Sequence, residues 1–194
     1  MARFRRLLRS SLRKLQPAIT AVAGERPAPA GSPTAEPPAP PLPYSWILTN
    51  ELAIGPLPAV AAHWRQLEEA GFRSRFSCCY SEEEAFSPVP PHWRSDSLAL
   101  PDHRQQEPLR PDRLLAAIDA AEALIREHSP LYLHCFAGRE RSSIVAIGLT
   151  ARRRSIDVFA ALDWVRRCHP PAAPIYEQLD ILEQLLRSGS GSLR

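Results

Sequence analysis

Hydrophobic and polar positions alternate along residues 44–188 in a way that predicts strands interleaved with helices. Short apolar runs bounded by turn-forming residues are typical of buried strands, and the longer stretches with helical periodicity are typical of amphipathic helices. The predicted strands are 46–48, 52–55, 72–80, 93–100 and 131–134. The predicted helices are 58–70, 112–128, 142–152, 155–168 and 175–186. This order, with a helical C-terminal half, predicts a single α/β domain with a central, largely parallel sheet flanked by helices.

Three predicted helix ends depend on single residues. Pro58 suits the first turn of the helix over 58–70 because a first-turn residue needs no N–H donor, and Gly71 ends that helix. Ser155 is a candidate N-terminal cap for the helix over 155–168.

The segments outside 44–188 have a different character. Residues 17–43 contain nine prolines and read as an extended linker, and 189–194 read as a flexible end. Residues 1–16 place Leu8, Leu12 and Leu15 at helical spacing among arginines. Two interpretations stay open for 1–16: a basic amphipathic helix in weak contact with a membrane surface, or a frayed tail.

Charge and cysteine content narrow the class of protein. The chain of 194 residues carries a formal net charge of +3, yet its first 24 residues hold six cations and no acid, so the remainder is net acidic. A nucleic-acid partner is therefore not expected. No apolar run is long enough to span a membrane. The four cysteines lack zinc-site spacing and favour a reducing, cytoplasmic location, with a cleaved leader ending near Ala23 as the alternative.

The most informative stretch is residues 131–143, with the sequence LYLHCFAGRERSS. An apolar strand runs directly into Cys135, and a helix-forming run follows Arg141. Gly138 lies mid-loop, where the backbone must curl. Backbone N–H groups in such a strand–loop–helix turn form an anion site, and the helix dipole favours negative charge there.

This anion site predicts phosphate chemistry. A helix N-terminus and nearby cations favour the thiolate form of a cysteine, so Cys135 is a candidate nucleophile toward phosphorus. Arg141 offers a planar fork that binds two phosphate oxygens at once. The alternative interpretation is a buried cysteine in a strand–helix turn beside a surface arginine.

The pattern His-Cys-x-x-Gly-x-x-Arg-Ser over residues 134–142 resembles the signature loop of the cysteine-dependent protein tyrosine phosphatases, and the domain size resembles the small dual-specificity branch. The resemblance covers residues 44–187. It implies a two-step reaction through a phosphocysteine intermediate, without metal or cofactor. The implied phosphate-binding residues, from Phe136 to Arg141, are Phe136, Ala137, Gly138, Arg139, Glu140 and Arg141.

The resemblance also implies a general acid a little over 30 residues before the nucleophile. Asp102 lies at this distance, where a strand should end and a polar loop begin. The alternative is a turn-forming Pro-Asp pair, with Asp96, Glu107 and Asp112 as the remaining candidate acids.

The motif and the family resemblance also suggest roles for three residues of the loop and for Cys79. Ser142 is expected to hydrogen-bond the Cys135 sulfur, or to cap the following helix. His134 orients the loop in one interpretation and is a buried strand residue in the other. Glu140 departs from the family pattern and is expected to point outward, toward an arginine, because a carboxylate in the cradle would repel phosphate. Cys79 resembles a cysteine that protects the nucleophile through a reversible disulfide, the alternative being a buried structural thiol.

These observations predict a monomeric phosphatase that acts on phosphotyrosine and phosphoserine or phosphothreonine in proteins. A phosphatase for a non-protein substrate, such as a phosphoinositide, a phosphosugar or an RNA 5′ end, is the main alternative. Lipid-specific relatives often carry a basic residue directly after the nucleophile, whereas this chain has Phe136 there. This difference disfavours a phosphoinositide substrate, although Arg139 remains as a cation in the loop. A phosphate-binding module without turnover is a third, less favoured reading.

Overall fold

The computed structural model of the chain describes residues 39–85, 88–105 and 107–190, so the predicted basic segment 1–16 and the linker up to residue 38 lie outside the described residues. The strands are β1 (Ser45–Leu48), β2 (Leu52–Pro56), β3 (Ser74–Ser77), β4 (Arg94–Ser97) and β5 (Leu131–Cys135). The helices are α1 (Ala61–Glu69), α2 (Ser81–Glu84), α3 (Pro111–His128), α4 (Arg141–Arg154), α5 (Val158–Cys168) and α6 (Tyr176–Ser190).

The five strands form one mixed sheet in the order β1-β2-β5-β3-β4. β1 pairs antiparallel with β2 through a tight turn at Asn50, whose φ of 60° is a conformation that asparagine tolerates well. The other three pairings are parallel. The predicted α/β class with a largely parallel central sheet is therefore confirmed. β5, the strand that ends at Cys135, lies in the centre.

Alternate residues of the central strands supply two cores, because successive strand side chains point to opposite faces. Ile54 and Leu133 join the larger core, to which α3, α4, α5 and α6 contribute their apolar faces. Ala53 and Tyr132 belong to a smaller, aromatic-rich cluster with Trp64 of α1. Each large apolar side chain buried in this way contributes about 1.5–3 kcal/mol to folding. Helices therefore cover both faces of the sheet and leave its edge at the strand ends open.

Several element boundaries differ from the sequence prediction. α1 begins at Ala61 and not at Pro58, because the backbone N–H of Leu57 donates to the carbonyl of Phe136 at 3.2 Å and keeps this stretch extended. Gly71 ends α1 as predicted, with a φ of 95°. The short helix α2 was not predicted.

The predicted cap of α5 was also wrong. Ser155 ends α4 in a left-handed conformation, and Asp157 caps α5, since its side chain accepts a hydrogen bond from the N–H of Ala160 at 2.8 Å.

Residues that precede Tyr44, where the sequence predicts that the domain begins, also pack against the domain. Leu42 is buried, with 3% of its surface exposed. Its backbone exchanges two hydrogen bonds with the side chain of Gln66 on α1, at 2.7 Å and 2.9 Å. In the part of the chain that is described, no helix has both the length and the apolar character needed to cross a membrane.

Candidate active site

The nucleophile candidate lies at the open edge of the sheet. Cys135 is the last residue of β5, Arg141 is the first residue of α4, and the five residues between them form the loop that the sequence predicts to bind phosphate, named the phosphate-binding loop below. Strands β2 and β3 flank β5 in parallel and deliver their carboxyl ends to the same edge. Ligands bind at this edge in open α/β sheets, so the position agrees with the anion site predicted from the sequence.

Gly138 gives the loop its close contact with the sheet. Its φ is 69°, and a Cβ atom there would lie 2.5 Å from the carbonyl carbon of Gly55 in β2. A side chain at this position would therefore meet backbone and not a movable side chain. The loop is held tightly on the end of β2, which directs its remaining atoms toward the site.

The loop is braced from the opposite side by residues that follow α5. Nε2 of the buried His169 lies 2.9 Å from the carbonyl oxygen of Gly138, and the N–H of Ala173 donates to the carbonyl of Arg139 at 2.7 Å. Burial lowers the pKa of His169, so its neutral ring donates from Nε2 to this carbonyl. No local pattern in the sequence marks His169, because only folding brings it to the loop.

A cavity of about 560 Å³ opens above the loop, and Asp102, Cys135 and Arg141 all contribute to its lining. Phe136 and Ile175 form apolar walls, while Arg139 and Arg104 bring positive charge to it. Cys135 itself is 2% exposed. The hydroxyl of the buried Ser142 donates to the Cys135 sulfur at 3.3 Å, the contact expected from the sequence motif.

Arg141 forms a two-pronged ion pair with Glu83 of α2. Its two Nη atoms lie 2.6 Å and 2.7 Å from the carboxylate oxygens. Burial by itself would lower the pKa of Arg141, but the hydrogen bonds to Glu83 and the charges of Cys135 and Glu83 outweigh burial and raise the pKa above its ordinary value. The guanidinium is thus permanently charged and pre-oriented. Glu83 was missed in the sequence, where three consecutive glutamates give no indication of which one faces the site.

Asp102 lies in the loop after β4, with 8% of its surface exposed. Its Oδ2 is 3.7 Å from Arg141 Nη2 and 2.6 Å from Arg104 Nη2. Burial alone would raise the pKa of Asp102. Hydrogen bonds from the side chain and the backbone of Arg104, together with the charges of both arginines, outweigh burial and lower the pKa.

The remaining candidate acids have other partners. Glu107 contacts Tyr80 and Arg113 on the exposed surface, and Asp112 pairs with Arg110 at the start of α3. Asp96 lies within the exposed strand β4. The structure therefore places Asp102, and none of these three, at the cavity that holds Cys135.

His134 is completely buried behind the loop. Its Nε2 lies 3.2 Å from Nη1 of Arg75, and because arginine only donates, this ring nitrogen accepts. Burial, together with the charge of Arg75, lowers the pKa of His134 to about 3, so the ring is neutral. Glu84 and Cys79 place ligand-type atoms near this ring, within 4.8 Å, but the guanidinium of Arg75 already occupies the acceptors of Glu84 and His134.

Glu140 does not point outward, and its partner is not an arginine. It is 9% exposed and contacts His103 and Gln178. Glu140 also contributes to the lining of the cavity, and hydrogen bonds from His103 and Gln178 hold its carboxylate oxygens. These donors, and not an arginine, compensate its negative charge.

Cys78 and Cys79 follow β3, beside the end of β5. The N–H of Cys78 donates to the carbonyl of His134 at 2.9 Å, which continues the parallel pairing of β3 with β5. Burial is the main cause that raises the pKa of both thiols, that of Cys79 to about 12, and the charge of Cys135 adds to it. Both cysteines are therefore held as thiols near the nucleophile candidate.

The geometry thus combines a cysteine, a fixed arginine and a carboxylate at the end of a central parallel strand. The chain matches no protein-family model. Among solved structures, human DUSP28 is 25% identical, with a TM-score of 0.61 over 79% of this chain and 99% of that chain. PTPMT1 in complex with PI(5)P is 15% identical, with a TM-score of 0.67 over 78% and 99%. Tk-PTP in its active form is 24% identical, with a TM-score of 0.60 over 74% and 96%.

These matches confirm the resemblance seen in the sequence. The chain has the fold of the cysteine-dependent protein tyrosine phosphatase superfamily, which includes the dual-specificity phosphatases, and the likeness spans nearly the whole of each matched domain. The signature loop stands at the carboxyl end of the central strand of that fold.

Proposed function

We propose that this protein hydrolyses phosphomonoesters through a phosphocysteine intermediate, with phosphorylated tyrosine, serine or threonine in proteins as its substrates. The observation that carries the proposal is that Cys135, Arg141 and Asp102 line one cavity, with Ser142 bonded to the Cys135 sulfur. Each group has the chemistry that one step of the reaction requires.

In the first step the phosphate enters the loop and accepts hydrogen bonds from backbone N–H groups and from the guanidinium of Arg141. Arg141 exchanges part of its contact with Glu83 for these bonds to the phosphate oxygens. The Cys135 thiolate attacks phosphorus, the bond to the leaving oxygen breaks, and protonated Asp102 gives its proton to that oxygen. The loop and Arg141 stabilise the charge on the equatorial oxygens.

In the second step Asp102, now a carboxylate, removes a proton from water. The resulting oxygen attacks phosphorus, the sulfur–phosphorus bond breaks, and Cys135 leaves as a thiolate. Ser142 stabilises this thiolate, because its hydroxyl already donates to the sulfur. Inorganic phosphate is released and Asp102 is protonated again.

A non-protein phosphate is the second candidate substrate. PTPMT1, one of the matched structures, was solved with PI(5)P, and Arg104 and Arg139 line the cavity of the present chain. Arg139 suits a substrate with a second anionic group, whereas the charge of Arg104 is already paired with Asp102. Against this candidate, Phe136 is 52% exposed on the cavity wall and offers an apolar surface to an aromatic side chain.

The test is turnover by the full chain of a chromogenic aryl phosphate, then of phosphopeptides, phosphoinositides and sugar phosphates. Cys135→Ser serves as the control, since a hydroxyl is a far weaker nucleophile at neutral pH. Faster turnover of phosphopeptides than of the other phosphates supports the proposal. Preference for phosphoinositides would establish the second candidate, and activity retained in Cys135→Ser would contradict the phosphocysteine mechanism.

A further inference from the structure

Glu140 is a carboxylate inside a loop built to bind anions. It immediately precedes Arg141, and its side chain is 11% exposed. A buried carboxylate is unfavourable unless donors satisfy its oxygens, and a negative charge here would repel phosphate. The contacts of this side chain show where its charge is directed.

The donors to Glu140 come from two different parts of the fold. Oε1 accepts from the backbone N–H of His103 at 2.9 Å and from Nε2 of Gln178 on α6, also at 2.9 Å. Oε2 pairs with Nδ1 of the His103 ring. Gln178 is itself buried, with 3% exposure, so the carboxylate is fixed from the helical core on one side. On the other side it holds His103, the residue directly after Asp102.

The loop that carries Asp102, residues 101–105, is called the acid loop here, and its other contact with the site is the 3.7 Å ion pair between Asp102 Oδ2 and Arg141 Nη2. Residues 101–105 contain no helix or strand. Within the loop, Arg104 and Gln105 bond to Asp102 itself, which shapes the loop but does not attach it to the phosphate-binding loop. The bonds from Glu140 to His103 therefore join the neighbour of the general acid to the neighbour of Arg141.

We propose that Glu140 is a positioning residue that latches the acid loop onto the phosphate-binding loop and so holds Asp102 at the cavity. The inference rests on the proposed function, in which Asp102 is the acid. An acid held in place before the substrate arrives needs no loop ordering during the reaction, which is the advantage of a preorganised site. Glu140 lies in the lining of the cavity, but its carboxylate oxygens contact His103 and Gln178, and it acts on Asp102 through His103.

The latch is tested by a double-mutant cycle of Glu140→Ala and Asp102→Asn with two substrates. Phenyl phosphate has a poor leaving group that needs a proton, whereas 4-nitrophenyl phosphate needs one far less. We expect Glu140→Ala to lower kcat for phenyl phosphate by about 10- to 100-fold, part of the 10²–10⁴ that a positioned acid contributes. The loss for 4-nitrophenyl phosphate should be several-fold smaller, with KM nearly unchanged.

In the double variant, loss of Glu140 should cause little further decrease, because a latch without an acid has nothing to position. The latch would be overturned if Glu140→Ala lowered kcat equally for both substrates and if this loss added to that of Asp102→Asn in the double variant. Glu140 would then only maintain the shape of the phosphate-binding loop. Glu140→Gln keeps one acceptor and should fall between wild type and Glu140→Ala. Glu177→Ala, an exposed carboxylate of α6 beside Gln178, is the matched control and should behave as wild type.

Hydrogen exchange gives a readout that does not depend on activity. The backbone N–H of His103 should exchange faster in Glu140→Ala and in Glu140→Gln than in wild type, while the strand β5 stays protected as evidence of folding. Unchanged exchange at His103 in both variants would overturn the latch. If the wild-type chain turned over no phosphomonoester, the proposed function would fail, and exchange would still decide whether Glu140 holds the loop.

Discussion

In the proposed mechanism, Asp102 has to satisfy two requirements that oppose each other. A general acid must carry a proton, yet Arg104 and Arg141 lower the pKa of Asp102 in the free protein. The protonated fraction of a group with a lowered pKa decreases as the pH rises through that pKa. Catalysis by this acid is therefore strongest at the acidic side of neutrality.

Asp102→Asn should lower kcat by roughly 10²–10⁴, because asparagine cannot donate the proton that the leaving oxygen needs. In wild type, kcat/KM should decrease with rising pH as Asp102 loses its proton. This decrease should be absent in the variant. Steady-state rates with phenyl phosphate across the pH range measure both effects. A variant that kept the wild-type rate would show that Asp102 is not the general acid.

The buried ion pair between Arg141 and Glu83 predicts an effect of Glu83 on stability. Glu83→Gln leaves the guanidinium charge without its carboxylate, which we expect to cost about 1–3 kcal/mol, less than for a fully buried pair because Glu83 is partly exposed. Thermal melting measures the loss. Added inorganic phosphate should restore more of the Tm in the variant than in wild type, since the anion replaces the missing charge.

Glu82→Gln is the matched control for this experiment, because Glu82 is the exposed neighbour of Glu83 on α2. Its Tm should stay at the wild-type value. Equal melting of both variants would mean that Glu83 contributes nothing to holding Arg141.

At the scale of secondary-structure elements, the contact between the phosphate-binding loop and β2 depends on Gly138. Gly138→Ala adds a Cβ that would lie 2.5 Å and 2.6 Å from carbonyl atoms of Gly55. The loop must then shift, and we expect kcat/KM for an aryl phosphate to fall by at least about tenfold, since displacements near 1 Å at a site have effects of this order or larger.

Gly71→Ala separates this contact from backbone strain. Gly71 also has a positive φ, of 95°, but a Cβ there meets nothing within 4 Å. This variant should lose about 1 kcal/mol of stability and keep its kcat/KM. Similar kinetics in the two variants would show that contact with Gly55 is not what positions the loop.

The parallel pairing of β3 with β5 places Cys78 and Cys79 beside the nucleophile candidate. We predict that mild peroxide oxidises Cys135 to a sulfenic acid and that Cys79 condenses with it, with loss of water, to a disulfide. Because burial raises the pKa of Cys79 to about 12, its thiolate fraction and the cross-linking rate should increase with pH. Mass spectrometry of peptides detects the bond.

Variants distinguish the two neighbours. Cys79→Ser should abolish the cross-link and leave Cys135 open to irreversible oxidation, whereas Cys78→Ser should keep it. A cross-link that survives in Cys79→Ser and vanishes in Cys78→Ser would transfer the protective role to Cys78.

At the scale of the whole molecule, the boundary of the folded domain lies before the predicted start at residue 44. A chain lacking residues 1–38 should keep the Tm and the aryl phosphatase activity of the full chain, because it retains Leu42, the first of the described core residues. Removal of residues 1–43 also removes the buried Leu42 and should cost about 1.5–3 kcal/mol. Melting of the two truncated chains decides between residues 38 and 43 as the boundary, and equal Tm values would contradict the contribution of Leu42.

Local patterns in the sequence determined the fold class and the core of the site. The apolar run into Cys135, the glycine at Gly138 and the helix after Arg141 form one continuous segment, so spacing alone predicts a strand, an anion-binding loop and a helix. The alternation of strands and helices predicts the parallel sheet, because parallel strands need a crossover between them. Asp102 was found through the family resemblance, which implies an acid a little over 30 residues before the cysteine, and through its place after a predicted strand.

Only the tertiary structure decided which other side chains complete the site. Glu83 meets Arg141 across 58 residues, Glu140 meets His103 across 37, and His169 meets Gly138 across 31. Such contacts depend on the direction in which a side chain leaves its element and on the packing of elements far apart in the chain. The sequence alone does not show which of three consecutive glutamates faces the site, or in which direction the carboxylate in the phosphate-binding loop points. The fold determines these directions, because a buried charge is unfavourable unless a specific partner pairs with it.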